Sequence, residues 1–188
     1  MNRRRAFIPQ RTPMFVGCEG QSEAAYMALV AGLARQAGLP VHIEVQELTP
    51  GAGDPLARVI MAIDRIERAR RRRGAFARSF ILLDDDQCDL DRGRAADAQR
   101  RAAEAGITLV WQSPCHEALL LRHLPGCATR RPQDSAGAAQ ALLREWPAYR
   151  KPMSRVALAA RLDLDALRRA ADAEPELHAM FATFGFWR

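Results

Sequence analysis

Three observations predict an open α/β fold, a mainly parallel four-stranded sheet between helices with a C-terminal helical cover. Apolar runs at 14–18 and 80–83 lack alternation, as expected of central strands covered on both faces. Each run ends in acid, first Glu19 and then Asp84-Asp85-Asp86, at the strand ends where such sheets collect their functional groups. Helical patterns alternate with the strands, and right-handed crossovers turn that alternation into parallel neighbours.

Residues 1–12 are basic and interrupted by proline, which predicts a flexible arm. After the first strand, Tyr26, Leu29, Val30 and Leu33 recur at helical spacing from Ser22 onward, with Gly38 placed to close the helix. Val41, Ile43 and Val45 alternate with His42, Glu44 and Gln46, so the second strand is expected half exposed near a sheet edge. Asp54-Pro55 is an N-cap and first-turn proline. The helix it opens has apolar positions at Leu56, Val59, Ile60, Ile63 and Ile66. It closes on Arg70, Arg71, Arg72, Arg73 and Gly74. Those arginines complement the helix dipole and stay solvated, or else meet nucleic acid.

The third strand, 79–83, enters a loop holding Asp84, Asp85, Asp86, Asp89 and Asp91, the last positioned to cap the next helix. That helix offers a narrow face of Ala95, Ala98, Ala102 and Ala105, with Gly106 as its stop. Strand four spans 107–111. A loop over 112–117 leads into a helix to Leu124, completing a core assigned to 13–128. The extension over 129–188 reads as helices at 135–146, 154–172 with a break near Asp163, and 176–184.

At 188 residues the chain accommodates one full hydrophobic core. A net charge of +6 favours an anionic partner, nucleic acid foremost. The only lysine is Lys151, so arginine supplies the other 27 of the 28 basic residues, which a GC-rich coding bias also explains. Cys18, Cys88, Cys115 and Cys127 have neither zinc-site pairing nor disulfide density, so reduced thiols and a cytoplasmic location are expected. The apolar segment after Arg3-Arg4-Arg5 stops at Pro9, too short for a signal peptide. No run of about 20 apolar residues is present, so no membrane span is expected.

Two or three carboxylates on neighbouring strand ends suffice for a hard cation such as Mg2+ or Mn2+, which takes oxygen ligands and keeps several waters. An extended segment puts Asp84 and Asp86 on one side, with Glu19 arriving from the adjoining strand. Gathering these acids without a cation raises at least one pKa. The alternative is a soluble acidic loop that only caps a helix. Asp89 occupies the glycine position of a calcium EF-hand loop, Gly17 and Gly20 do not make the triple-glycine turn of a dinucleotide site, and the phosphate-cradling P-loop lysine is missing.

A strand-Glu-Gly pair followed by a strand-Asp-x-Asp pair resembles the Toprim arrangement of topoisomerases, primases and overcoming-lysogenization-defect nucleases. Cys18-Glu19-Gly20-x-x-Glu23-x-x-Tyr26 is similar to the opening motif of RloB-like proteins, with Ser22 before the second acid. Ser113-Pro114-Cys115-His116-Glu117, the leucines Leu119, Leu120 and Leu121, and His123 resemble that family's Asn-Pro, Phe-Glu, leucine and histidine motif. Tyr149-Arg150-Lys151 resembles its Tyr-x-Lys. Ser113 stands where asparagine is usual, His116 where an aromatic is usual and Leu119 where tryptophan is usual.

The resemblance implies a metal-dependent nuclease, with Glu19 as general acid or base and Asp84 and Asp86 holding Mg2+ or Mn2+ on a phosphodiester of RNA or DNA. It implies bacterial defence against phage, with a protein partner from a defence system. Topoisomerase action needs a positioned tyrosine, and only Tyr26 and Tyr149 exist, so hydrolysis is expected. Glu117 is a candidate further ligand or a helix-start acid. Glu23, Ser113, His116, His123, Arg150 and Lys151 are candidate substrate contacts, His123 alternatively being a buried hydrogen-bonded residue and the two cations merely solvated. Tyr26 and Trp111 are expected in the core. Two rivals remain: a nucleotide phosphohydrolase, marked by a deep closed pocket, and a non-catalytic binding component, marked by carboxylates too far apart or occupied by an internal arginine.

Overall fold

The computed structural model describes residues 10–49, 54–87 and 92–187. The apolar runs form β1 (Thr12–Cys18), β2 (Val41–Glu47), β3 (Arg78–Asp84) and β4 (Ile107–Gln112). They pair in the order β2-β1-β3-β4, every pair parallel. The helices α1 (Gln21–Gln36), α2 (Pro55–Arg73) and α3 (Arg92–Glu104) make the crossovers of this Rossmann-like sheet. Five more follow β4: α4 (His116–His123), α5 (Ser135–Glu145), α6 (Arg155–Ala159), α7 (Leu164–Ala173) and α8 (Pro175–Phe184).

Strand alternation divides the core in two. Met14, Val16, Cys18, Phe80, Leu82 and Val110 face α1 and the C-terminal helices, while Phe15, Ile81, Leu83, Ile107 and Leu109 face α2 and α3. Both faces are dry, which is why β1 and β3 carry no polar alternation. Phe184 of α8 meets Phe80 edge-on at 5.5 Å between ring centroids, so the last helix packs on the first sheet face. Burying each such ring stabilises the fold by roughly 2–3 kcal/mol. Glu176 of α8 also accepts the Trp111 N–H of edge strand β4 at 2.9 Å, removing a donor that an edge strand otherwise exposes.

Expected boundaries hold closely at the caps. Asp54 Oδ1 accepts from Leu56 N at 2.9 Å, and Asp163 Oδ1 accepts from Ala166 N at 2.9 Å, the latter dividing α6 from α7. Gly38 and Gly106 follow α1 and α3 with φ of 69° and 67°, the left-handed values that favour glycine. Other expectations need correction. The arm ends before residue 12, because Thr12 N donates to Pro40 O at 2.8 Å and begins β1. Residues 1–9, and the expected cap Asp91, lie outside the described residues. Ile60 is 48 % exposed although its spacing places it among the apolar positions of α2, and Arg58 takes a buried place on that helix. Ala105 is exposed, leaving Ala98 and Ala102 as the buried contacts of α3. Among the described residues, no helix is long and apolar enough to cross a membrane.

Candidate functional site at the carboxyl ends of the strands

β1 and β3 are adjacent, with Cys18 opposite Leu82, so the residues just beyond them emerge together. Glu19 Oε2 accepts the backbone N–H of Asp84 at 2.9 Å. Glu19 Oε1 is 2.9 Å from Arg58 Nη2, reaching over from α2. Arg58 is only 7 % exposed, so this is a largely desolvated pair. Burial pushes the Glu19 carboxyl above its usual range, against the opposing pull of the Asp84 N–H and Arg58.

The chain does not continue extended after Asp84. It turns into a 3₁₀ segment at Asp85–Gln87, as the N–H groups of Asp85 and Asp86 both donate to Pro114 O, at 3.1 and 3.0 Å. The expectation that Asp84 and Asp86 share one side of an extended segment is therefore overturned: the carbonyl of the β4–α4 loop captures both amides and curls the chain. Asp86 receives a hydrogen bond from the hydroxyl of Ser135 at the start of α5.

Asp84 itself is left uncompensated. Its Oδ1 is buried and, among the described residues, has no hydrogen-bond partner. Burial first, then the neighbouring charges of Glu23, Glu19 and Asp86, push its carboxyl up to about 9, with Lys151 opposing them weakly. Glu23 is 4 % exposed, and its Oε2 accepts Gly20 N at 3.0 Å, capping α1 from inside the cluster. Glu23 thus has a structural bond as well as a charge facing Asp84.

At the neighbouring strand end the balance is different. Glu117 Oε1 lies 2.8 Å from Lys151 Nζ and accepts from the Tyr149 hydroxyl at 3.1 Å. Burial opposes ionisation of Glu117, but the Lys151 ammonium outweighs it and holds the carboxyl below its ordinary value. Lys151 is raised, its bond to Glu117 overcoming burial. Arg150 turns back onto its own segment, donating to Pro147 O and Tyr149 O at 2.8 and 2.7 Å. Ser113 is exposed, and its carbonyl accepts from Arg122 Nη2 at 2.8 Å.

Behind the acids lies a buried polar layer. His123 Nδ1 is 2.8 Å from Leu119 O, which only accepts, so Nδ1 carries the proton and Nε2 accepts from the Tyr26 hydroxyl at 2.9 Å. Both ring nitrogens are occupied and the residue is fully buried, which corrects its candidacy as a substrate contact. Burial pushes His123 down to about 4, keeping it neutral. His116 is also fully buried, with Nδ1 2.6 Å from Gln112 Oε1 and Nε2 lacking a partner among the described residues. It faces Tyr26 rather than solvent. Burial lifts the thiols of Cys18 and Cys115, the latter to about 11, so neither is a ready nucleophile.

The structure thus gathers Glu19, Glu23, Asp84 and Asp86 around one strand end and Glu117 with Lys151 around the next. The sequence alone does not mark Arg58 or Ser135 as site residues, and Tyr149 enters only through the Tyr-x-Lys resemblance. Among the described residues, no three His, Cys, Asp or Glu side chains are grouped to hold an ion as they stand. A Mg2+ ion commonly uses one or two carboxylates and fills its shell with water and substrate phosphate. The buried, unpartnered oxygen of Asp84, with other carboxylates beside it, fits that requirement in charge and donor type.

No protein-family model matches this chain, and no curated protein or solved structure matches it.

Proposed function

We propose that this chain is a metal-dependent phosphodiesterase acting on nucleic acid, with Asp84 as its principal metal ligand. The observation that carries the proposal is the Asp84 carboxyl, whose buried Oδ1 has no hydrogen-bond partner among the described residues, set among Glu19, Glu23 and Asp86, an arrangement that calls for a cation. Asp84, with Asp86 or Glu23, would hold Mg2+ or Mn2+. Such an ion supplies charge stabilisation at the phosphoryl oxygens and an acidified water. Glu19, lifted by burial and fixed by Arg58 and the Asp84 amide, is the group to move the proton. Lys151, exposed on the rim beside Glu117, offers its ammonium to a phosphate oxygen. The resemblance to RloB-like proteins extends the proposal to bacterial defence.

One observation favours a second reading. Glu19 is engaged by the internal Arg58, the feature expected of a non-catalytic nucleic-acid-binding component. Cleavage of labelled RNA and DNA, with Mg2+ or Mn2+ titrated into wild type, Asp84→Asn and Glu19→Gln, separates the two. Metal-dependent cleavage lost by at least about 100-fold in Asp84→Asn supports the hydrolase. Binding without cleavage under every metal condition supports the binding component.

A further inference from the structure

We infer that the α2–β2 face is a docking track for the phosphate backbone of a nucleic-acid strand, an inference that rests on the nucleic-acid reading above. A groove of about 380 Å³ lies between the second half of α2 and β2. Arg65, Arg68, Arg72 and Arg73 line it, against a single carboxylate, Glu44.

Two features distinguish the groove from a solvated arginine face. First, its floor is fixed. Arg65 Nη1 donates to Glu47 O at 2.7 Å and to Gln46 Oε1 at 3.0 Å, and Gln46 Nε2 donates to Glu44 Oε1 at 3.2 Å. Glu44 in turn pairs with Arg73, whose guanidinium lies 5.5 Å from the centroid of the Phe76 ring. These guanidinium groups are held in place before any ligand arrives, which lowers the ordering cost of binding. Among the described residues Arg68 pairs with Asp64 alone, and both are well exposed, so that pair exchanges readily for a phosphate.

Second, the groove points at the acidic centre. Arg58, Arg65 and Arg72 are spaced by sevens, two turns of helix apart, and so keep close to one side of α2. Arg58, at one end, holds Glu19. Glu47, which anchors Arg65, is in register with Cys18, the residue before Glu19. The groove lining from Arg65 to Arg73 spans about 12 Å of helix axis, the length of about three to four phosphates on one duplex strand, and its Arg65 end is the one nearer Arg58. A backbone lying in the groove therefore leads toward Asp84. An apolar insertion face, which a membrane surface requires, is not part of the groove lining.

The test compares two double variants of equal charge change on exposed residues of one helix: Arg68→Ala with Arg72→Ala in the groove, and Arg70→Ala with Arg71→Ala outside it. Binding of labelled 20-nucleotide RNA and DNA, single-stranded and duplex, is followed by fluorescence anisotropy between 50 and 200 mM KCl with chelator present, after circular dichroism confirms that both variants fold. The groove variant is expected to lose at least about tenfold in affinity at 100 mM salt, irrespective of sequence. Its slope of log K against log salt should shrink by about 1.4–1.8, two phosphate contacts' worth. The control should stay within about threefold of wild type. Equal losses in both variants, no loss in either, or wild-type binding to anionic lipid vesicles but not to oligonucleotides overturns the track. Groove-dependent binding without cleavage at any metal concentration supports the track while removing the hydrolase, and cleavage indifferent to the groove variant does the reverse.

Discussion

Two carboxylates stand beyond neighbouring strands, Asp84 at the end of β3 and Glu117 in the first turn of α4 after β4, and they are opposites. Glu117, after β4, is matched by Lys151 and Tyr149 and is held ionised. Asp84, ending β3, has a buried oxygen without a partner among the described residues and is pushed up to about 9 by burial and by three acidic neighbours. One acid has been balanced within the fold, and the other has been left for something outside it. Environments that drive neighbouring acids apart in this way are characteristic of functional centres.

The largest expected effect sharpens that contrast. Because the folded-state value of Asp84 lies above its unfolded one, its stabilising contribution is complete below about pH 4 and disappears as pH rises toward about 9. Metal-free Asp84→Asn is spared this decline. At pH 8 it should be more stable than wild type by on the order of 3 kcal/mol, read from urea denaturation. Glu117→Gln should do the opposite and lower stability, since it leaves Lys151 without its partner. A destabilised Asp84→Asn would break the comparison.

Arg58 provides the next test. Replacing it with Met strands the Glu19 carboxylate in a half-buried position, at an expected cost of about 2 kcal/mol in thermal or urea unfolding. A neutral result would mean that Glu19 is solvated. The smallest effect belongs to the satisfied layer. Tyr26→Phe removes one hydrogen bond to His123 Nε2, for about 1 kcal/mol. With His123 depressed to about 4, the layer's stabilisation is present above about pH 6.5 and declines as pH falls toward 4, a trend visible in pH-dependent melting.

Much of this was legible in the chain. The apolar runs, their terminal acids, the cap at Asp54 and the helix break at Asp163 report local chemistry, and the structure realises them closely. The expected meeting of Glu19 and Asp84 is realised because β1 lies beside β3, an order that parallel crossovers permit but do not dictate. Other features depend on contacts remote in sequence. Nothing local to Asp84-Asp85-Asp86 reveals that Pro114 O curls that segment, or that Ser135 meets Asp86. Arg58 looked like one arginine among many, and only its place beside buried Val59 and Ala62 on α2 shows it turned inward. Its sevenfold spacing to Arg65 and Arg72 was the available signal.

The most direct test of Asp84 as the centre of the site is calorimetric titration of Mn2+ into wild type and Asp84→Asn near pH 7.5, in two buffers of different ionisation enthalpy. With its carboxyl near 9, Asp84 is mostly protonated before the ion arrives, so binding must displace that proton. Wild type should bind one Mn2+ with release of close to one proton, and Asp84→Asn should bind at least tenfold more weakly with no such release. Equal binding by both proteins, or no binding by wild type, would contradict Asp84 as the centre of the site.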